Sequence, residues 1–133
     1  MVVGQRDSTQ SAVVNGIAPY VHVEDLARSM AFYELLGCRV IGTFQRGGSI
    51  VWAHLDTGDG RLMLAKADGP IQPDQQAVLF YLYAPDVAAL RERLVGEGIA
   101  VGPIANPDHM VEGEIRLSDP DGYVLLVGQT GTG

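Results

Sequence analysis

The imidazoles of this chain are His22, His54 and His109, and the C-terminal acidic candidates to join them are Glu112 and Glu114. Histidine and carboxylate are the usual ligands of a catalytic metal, and a histidine alone can act as a general base near neutral pH. A site assembled from His22, His54 and Glu114, or acid-base work by His22, is therefore open. Nucleophilic chemistry has less to stand on. Ser29, Ser49 and Ser118 lie in no Gly-x-Ser-x-Gly context, and the Gly47-Gly48 pair makes no phosphate loop. Cys38 is the single cysteine, so the chain has neither an internal disulfide nor a Cys-x-x-Cys pair, and it reads as a buried structural thiol. The spacing is most informative for aromatic residues. Tyr20 and His22, Trp52 and His54, and Tyr81 and Tyr83 each stand two apart. In a strand, each pair then points to one face. Such a face suits a flat or largely apolar ligand held by ring contact and a few hydrogen bonds.

The elements that must position these side chains follow in order. Residues 1–16 mix polar residues with short Val pairs and no sustained period, and read as a mobile arm. Residues 17–23 are β-rich, with Val21 and Val23 on the face opposite Ala18, Tyr20 and His22. Asp25 is placed to cap a helix over 26–36, and Gly37 to stop it. Strands over 38–44, 49–55 and 61–66 are separated by Arg46-Gly47-Gly48 and by Thr57-Gly58-Asp59-Gly60. Residues 68–76, with two prolines, form a linker. Beyond it come a strand over 77–83, a helix from Asp86 to about residue 95, a stop at Gly98, and a strand over 99–103. Strands over 113–117 and after the Asp119-Pro120-Asp121-Gly122 turn complete the chain, leaving 130–133 as a flexible tail.

The second half repeats the first. Asp86 lies 61 residues after Asp25, and Gly98 lies 61 after Gly37. Tyr20 falls on Tyr81 and His22 on Tyr83 at the same offset, while Asp59-Gly60 falls on Asp121-Gly122, and Leu64 on Leu126, at 62. The expectation is an α+β fold of two βαβββ modules, 17–67 and 77–129, within one domain. With 133 residues the chain has room for one core. Its net charge of −7, with cations scattered singly, argues against nucleic acid and anionic membrane and tolerates a cationic or neutral small molecule better. No apolar run nears the ~18 residues of a membrane span, and no signal peptide is indicated, so the expected compartment is the cytoplasm.

Tyr20-Val-His-Val-Glu-Asp25-Leu, Phe32-Tyr33-Glu34, Leu36-Gly37, Asp86-Val-Ala-Ala-Leu, Gly98 and Asp119-Pro-Asp-Gly-Tyr123, in this order and spacing, resemble the vicinal oxygen chelate superfamily. This is the glyoxalase, bleomycin-resistance and extradiol-dioxygenase group. The resemblance covers about residues 17–128 and implies two modules curled into a mixed, U-shaped sheet around a cleft, helices outside, in a homodimer. It also implies where metal-using members carry ligands: positions 18, 79 and 126, with a fourth at 63 or 64. This chain has Ala18, Leu79, Leu126 and Met63 or Leu64 there. A divalent first-row metal needs nitrogen, oxygen or thiolate donors, so the expectation is no metal and no other cofactor. The resemblance is thus closest to metal-free bleomycin-resistance-type members, which hold a small organic molecule without transforming it. The ligand-binding residues expected are Tyr20, His22, Trp52, His54, Leu79, Tyr81, Tyr83 and Leu126, with no catalytic residue. The competing expectation is a lyase, isomerase or dioxygenase-like enzyme with a displaced metal or a working histidine.

Overall fold

A computed structural model describes residues 12, 14 and 16–130. Most of the expected arm and the last three residues of the expected tail lie outside the described residues. The order is β1 (Tyr20–Val23), α1 (Leu26–Leu35), β2 (Arg39–Arg46), β3 (Ser49–Asp56) and β4 (Arg61–Lys66), then β5 (Leu79–Ala84), α2 (Val87–Gly96), β6 (Glu114–Ser118) and β7 (Val124–Gln129). Short 3-10 turns occur at Pro73–Gln75 and Asp108–Met110. Among the described residues, no helix is long and apolar enough to cross a membrane.

Cap chemistry explains the helix boundaries. The Asp25 carboxylate accepts from the Arg28 backbone N–H at 3.1 Å, and Asp86 accepts from that of Ala89 at 3.0 Å. Gly37 and Gly98 take the positive φ that ends each helix, at 100° and 83°. Both ends of α2 therefore lie 61 residues after those of α1, as the repeat requires.

The strands form two mixed sheets, β1-β4-β3-β2 and β5-β7-β6. In each module the first strand runs parallel to the last: Tyr20 pairs with Met63, and Tyr81 with Leu126. Val21, Val23, Leu55, Leu62 and Leu64 of the first sheet, and Leu125 and Val127 of the second, are buried against Leu26, Phe32 and Tyr33 of α1 and Val87 and Leu94 of α2 in one core. Alternation leaves the opposite face of the first sheet without a covering layer among the described residues, whereas on the second sheet His109 and Met110 lie over Glu114 and Gly128.

Two expectations need correction. Leu126 is the counterpart of Met63, not Leu64, because the parallel pairings set the offset at 63 by the final strand. Tyr123 stands between the turn and β7, whereas β4 begins directly after Gly60, and this adds the extra residue. The strand expected over 99–103 is reduced to isolated bridges, Val101 to Leu117 and Ala105 to Glu114. Pro103 has no N–H for a ladder. The Arg91 guanidinium also takes the Gly102 carbonyl at 2.7 Å and that of Val101 at 3.4 Å. The second sheet thus has three strands where the first has four.

The Asp-Pro-Asp-Gly turn ties the modules together. Asp119 accepts the Tyr33 hydroxyl at 2.7 Å and the backbone N–H groups of Asp121 and Tyr123, each at 2.9 Å. Asp121 accepts from the Glu24 N–H at 3.2 Å and the Ser29 hydroxyl at 3.4 Å, with Arg28 3.7 Å away. The Tyr123 hydroxyl donates to the His22 carbonyl at 2.8 Å, fixing β1 from the other side. Both aspartates are buried, so these bonds offset the loss of water around them.

Candidate functional site

On the bare face of the first sheet, two rows cross the strands. Tyr20, Met63, His54 and Gly42 are successive partners in one row, and His22, Ala65, Trp52 and Phe44 in the next. Tyr20 and Phe44 keep 56% and 53% of their surface exposed, so aromatic area here lacks cover from the other described residues. The Tyr20 and His22 rings lie 5.5 Å apart edge-on, and those of Trp52 and His54 lie 5.6 Å apart. Between them runs a groove of about 440 Å³ lined by Tyr20, His22, Trp52, Phe44 and Ala65. His54 flanks this groove, and its Nε2 is buried without a hydrogen-bond partner. A polar ligand atom or an ordered water would satisfy it.

The second module places Leu79, Tyr81 and Tyr83 along β5, beside a groove of about 600 Å³ whose other wall is Leu36, Cys38 and Arg61 of module one. Leu79 and Tyr83 are 48% and 66% exposed. Burial raises the Cys38 thiol to about 11, with the Asp56 charge adding to it, which keeps it an unreactive wall. Leu126 pairs with Tyr81 on one side and Arg116 on the other and lines neither groove. Of the eight expected binding residues, Tyr20, His22, Trp52 and His54 gather on one module, and Leu79, Tyr81 and Tyr83 on the other. The two sets line different grooves. A third hollow of about 610 Å³, where residues 98–102 replace the lost strand, contains none of the eight.

A polar cluster beside Tyr81 was not legible as such. The Glu114 Oε2 accepts the Tyr81 hydroxyl at 2.5 Å and lies 2.7 Å from His109 Nε2. Gly128 lies under this cluster: a Cβ there would stand 2.8 Å from the Tyr81 hydroxyl and 2.6 Å from Met110 Cε. The Tyr81 bond, and then His109, hold the Glu114 carboxyl below its usual range against the opposing effect of burial. Tyr81 is pushed up to about 12, first by its bond to Glu114 and then by burial. Glu114→Gln should therefore bring one tyrosine back toward the ordinary value near 10. Phenolate absorbance followed from pH 8 to 13 should gain one tyrosine near pH 10 and lose one near 12. An unchanged curve would mean that the bond to Glu114 does not control Tyr81.

The residues at the family's metal positions do not suit a metal. Ala18, Leu79 and Leu126 have no donor atom, Met63 has only a thioether, and Leu64 points into the core. His22, His54 and Glu114 do not converge, and among the described residues no three His, Cys, Asp or Glu side chains are grouped to hold an ion. Glu114 is instead engaged by Tyr81 and His109.

The profile of the "Glyoxalase/Bleomycin resistance protein/Dioxygenase superfamily" matches residues 14–127, which take in both modules and the turn. The chain belongs to that superfamily. No curated protein matches it. Among solved structures it is similar to a bleomycin-binding protein complexed with bleomycin, at 22% identity and a TM-score of 0.69, covering 89% of this chain and 100% of that one. It is also similar to an antibiotic-binding protein from Streptomyces sp. CB03234, at 24% identity and a TM-score of 0.68, over 90% and 98% of the two chains. A genomically encoded fosfomycin resistance protein from Listeria monocytogenes shares the fold at 13% identity and a TM-score of 0.70, over 90% and 96%. At these identities the likeness shows the superfamily's fold, and the chemistry of this member has to be argued from its own residues.

Proposed function

We propose that this chain is a small-molecule-binding protein of the bleomycin-resistance type that works without a metal centre and holds an apolar or aromatic ligand unchanged. The observation that carries this reading is the bare face of the first sheet, where Tyr20, His22, Trp52 and Phe44 surround a groove and, among the described residues, no chelating set is present. Aromatic side chains supply large contact area with little conformational freedom to lose, which favours binding of flat molecules. Similarity to solved antibiotic-binding proteins supports the same class. The active form in this reading is a cytoplasmic homodimer. Since the aromatic sets of the two modules line different grooves of one chain, a second copy facing the first would close each groove with the other's module.

Bleomycin and a panel of aromatic antibiotics, added to the purified full chain, test this reading by thermal unfolding. A ligand bound only by the native state and present at ~100 times its Kd stabilises by about 2.7 kcal/mol. For a domain of this size that raises Tm by on the order of 10 °C. Trp52→Ala should remove most of that shift, and chromatography should recover the ligand intact. No shift with any compound, or loss of binding when a stoichiometric metal is chelated, would sink the proposal. Consumption of the ligand would instead point to acid-base chemistry, for which His109 held by Glu114 is the better placed histidine.

A further inference from the structure

Overall charge and local charge disagree at the first-module groove. The chain carries a net −7, which taken alone favours cationic ligands. The groove's lining contains no Asp or Glu, and both of its charged residues, Arg46 and Lys66, are cationic. Among the described residues neither is ion-paired. The Arg46 guanidinium carbon sits 5.9 Å above the Phe44 ring, so that side chain is already laid along the aromatic wall. Lys66 borders the groove at the strand end, but it pairs with Val23 on the face opposite Ala65, and its ammonium donates to the Ala67 carbonyl at 2.9 Å.

The groove's shape follows from the register. Ala65 lies between His22 on one neighbouring strand and Trp52 on the other, with Phe44 beyond Trp52. A methyl group flanked by larger rings makes a low floor. Its volume of about 440 Å³ suits a molecule of one or two rings. Charges beyond about 8–10 Å are screened at physiological salt, so the charged group in contact with a ligand decides its sign, and here it is the Arg46 cation.

We infer that this groove takes a flat aromatic acid, its ring over Ala65 against Trp52 and its carboxylate or other planar oxyanion at Arg46. The inference rests on the small-molecule-binding reading above and specifies its ligand class. Arg46 suits the role because a guanidinium fork can meet both oxygens of a carboxylate.

Trp52 is the only tryptophan, so its emission reports on this groove directly. The full chain would be titrated with 4-nitrobenzoate, 4-nitrobenzyl alcohol and 4-nitrobenzylammonium, three nitroaromatic quenchers differing in charge. N-acetyltryptophanamide run in parallel corrects for absorbed light. The acid should bind about tenfold more tightly than the alcohol, as one charge-assisted contact implies, and the ammonium most weakly. Arg46→Gln should weaken the acid by about tenfold, whereas Arg93→Gln on α2, away from the groove, should change none of the three. Equal quenching by acid and alcohol, or an acid preference that survives Arg46→Gln, would overturn the anion assignment while leaving aromatic binding intact. Absence of quenching by all three would overturn the assignment together with ligand binding at this groove. Binding of bleomycin in the thermal assay would then keep the wider reading alive elsewhere.

Discussion

Asp119→Ala should cost about 3–5 kcal/mol of folding stability, the range for removing one member of a buried, charged hydrogen-bond network. The substitution strands the hydroxyl of Tyr33, which is almost fully buried, and two backbone N–H groups that now share one carboxylate oxygen. Against a total stability of roughly 5–15 kcal/mol, that loss is a large fraction of the whole. Urea unfolding should show a much lower midpoint with an unchanged slope. A midpoint moved by under ~1 kcal/mol would show that the turn's bonds do not hold the modules together.

Asp119→Asn separates charge from hydrogen bonding. The amide oxygen can still accept both N–H groups, so its cost should be smaller, about 1 kcal/mol. Burial holds the Asp119 carboxyl above its ordinary range, outweighing the Tyr33 and backbone bonds that pull it down. The fold therefore favours the protonated form. That contribution is fully present below pH ~3.9 and is lost as pH rises through the raised folded value. Relative to wild type, Asp119→Asn should accordingly gain as pH rises above ~4. Glu114 has the opposite sign, since its folded value is lowered: its contribution is present above pH ~4.3 and lost as pH falls through that lowered value. A difference between wild type and Asp119→Asn that is flat with pH, or that turns toward wild type, would contradict this account.

Gly122→Ala is expected to be the other severe change, on the order of 3 kcal/mol. Two effects combine. At φ 88° an L side chain is strained by roughly 1–2 kcal/mol. A Cβ there would also lie 2.4 Å from Pro73 Cβ and 3.2 Å from Pro73 Cα, so the linker must move at a cost of about 1–3 kcal/mol. Gly37 isolates the first effect: its φ is 100°, yet a Cβ would meet nothing within 4 Å. Gly37→Ala should thus lose only about 1–2 kcal/mol. Equal losses for the two variants, measured by urea unfolding, would refute the clash with Pro73.

Local chemistry made much of this fold readable in advance. Asp25 with Gly37 and Asp86 with Gly98 each combine a cap with a stop, signals contained within a dozen residues, and the helices begin and end accordingly. Alternation in Tyr20-Val21-His22-Val23 correctly separated the core face from the bare one. Errors arose where pairing is set at a distance. Apolar residues alternate equally well with Leu126 opposite Met63 or Leu64, and only the contact between β5 and β7 decides. The stretch 99–103 is apolar enough for a strand, but Arg91, ten residues earlier, captures its carbonyls.

The site was legible in kind more than in arrangement. Types and faces of Tyr20, His22, Tyr81 and Tyr83 could be read, but which module's residues share a groove depends on how the modules pack. Phe44 and Arg46 stand two apart, and β2 runs through both up to the Gly47-Gly48 turn, two residues beyond the strand end expected at 44. Glu114 drew notice as a metal ligand because a buried carboxylate bound by a tyrosine and a histidine has no local sequence signature.

The outermost strand of the first sheet, β2, bears on how copies of this chain meet in a crowded solution. An eight-residue strand with one side unpaired among the described residues would ordinarily be a template for another chain's backbone. Its register slips between Val40 and Gly42 and again between Phe44 and Gln45, and Arg39 and Arg46 stand at its ends. Slips twist a strand away from the flat line that a newcomer must match, and like charges at both ends repel an identical strand. Runaway growth by strand addition is thereby opposed, although the neighbouring face stays open to contact.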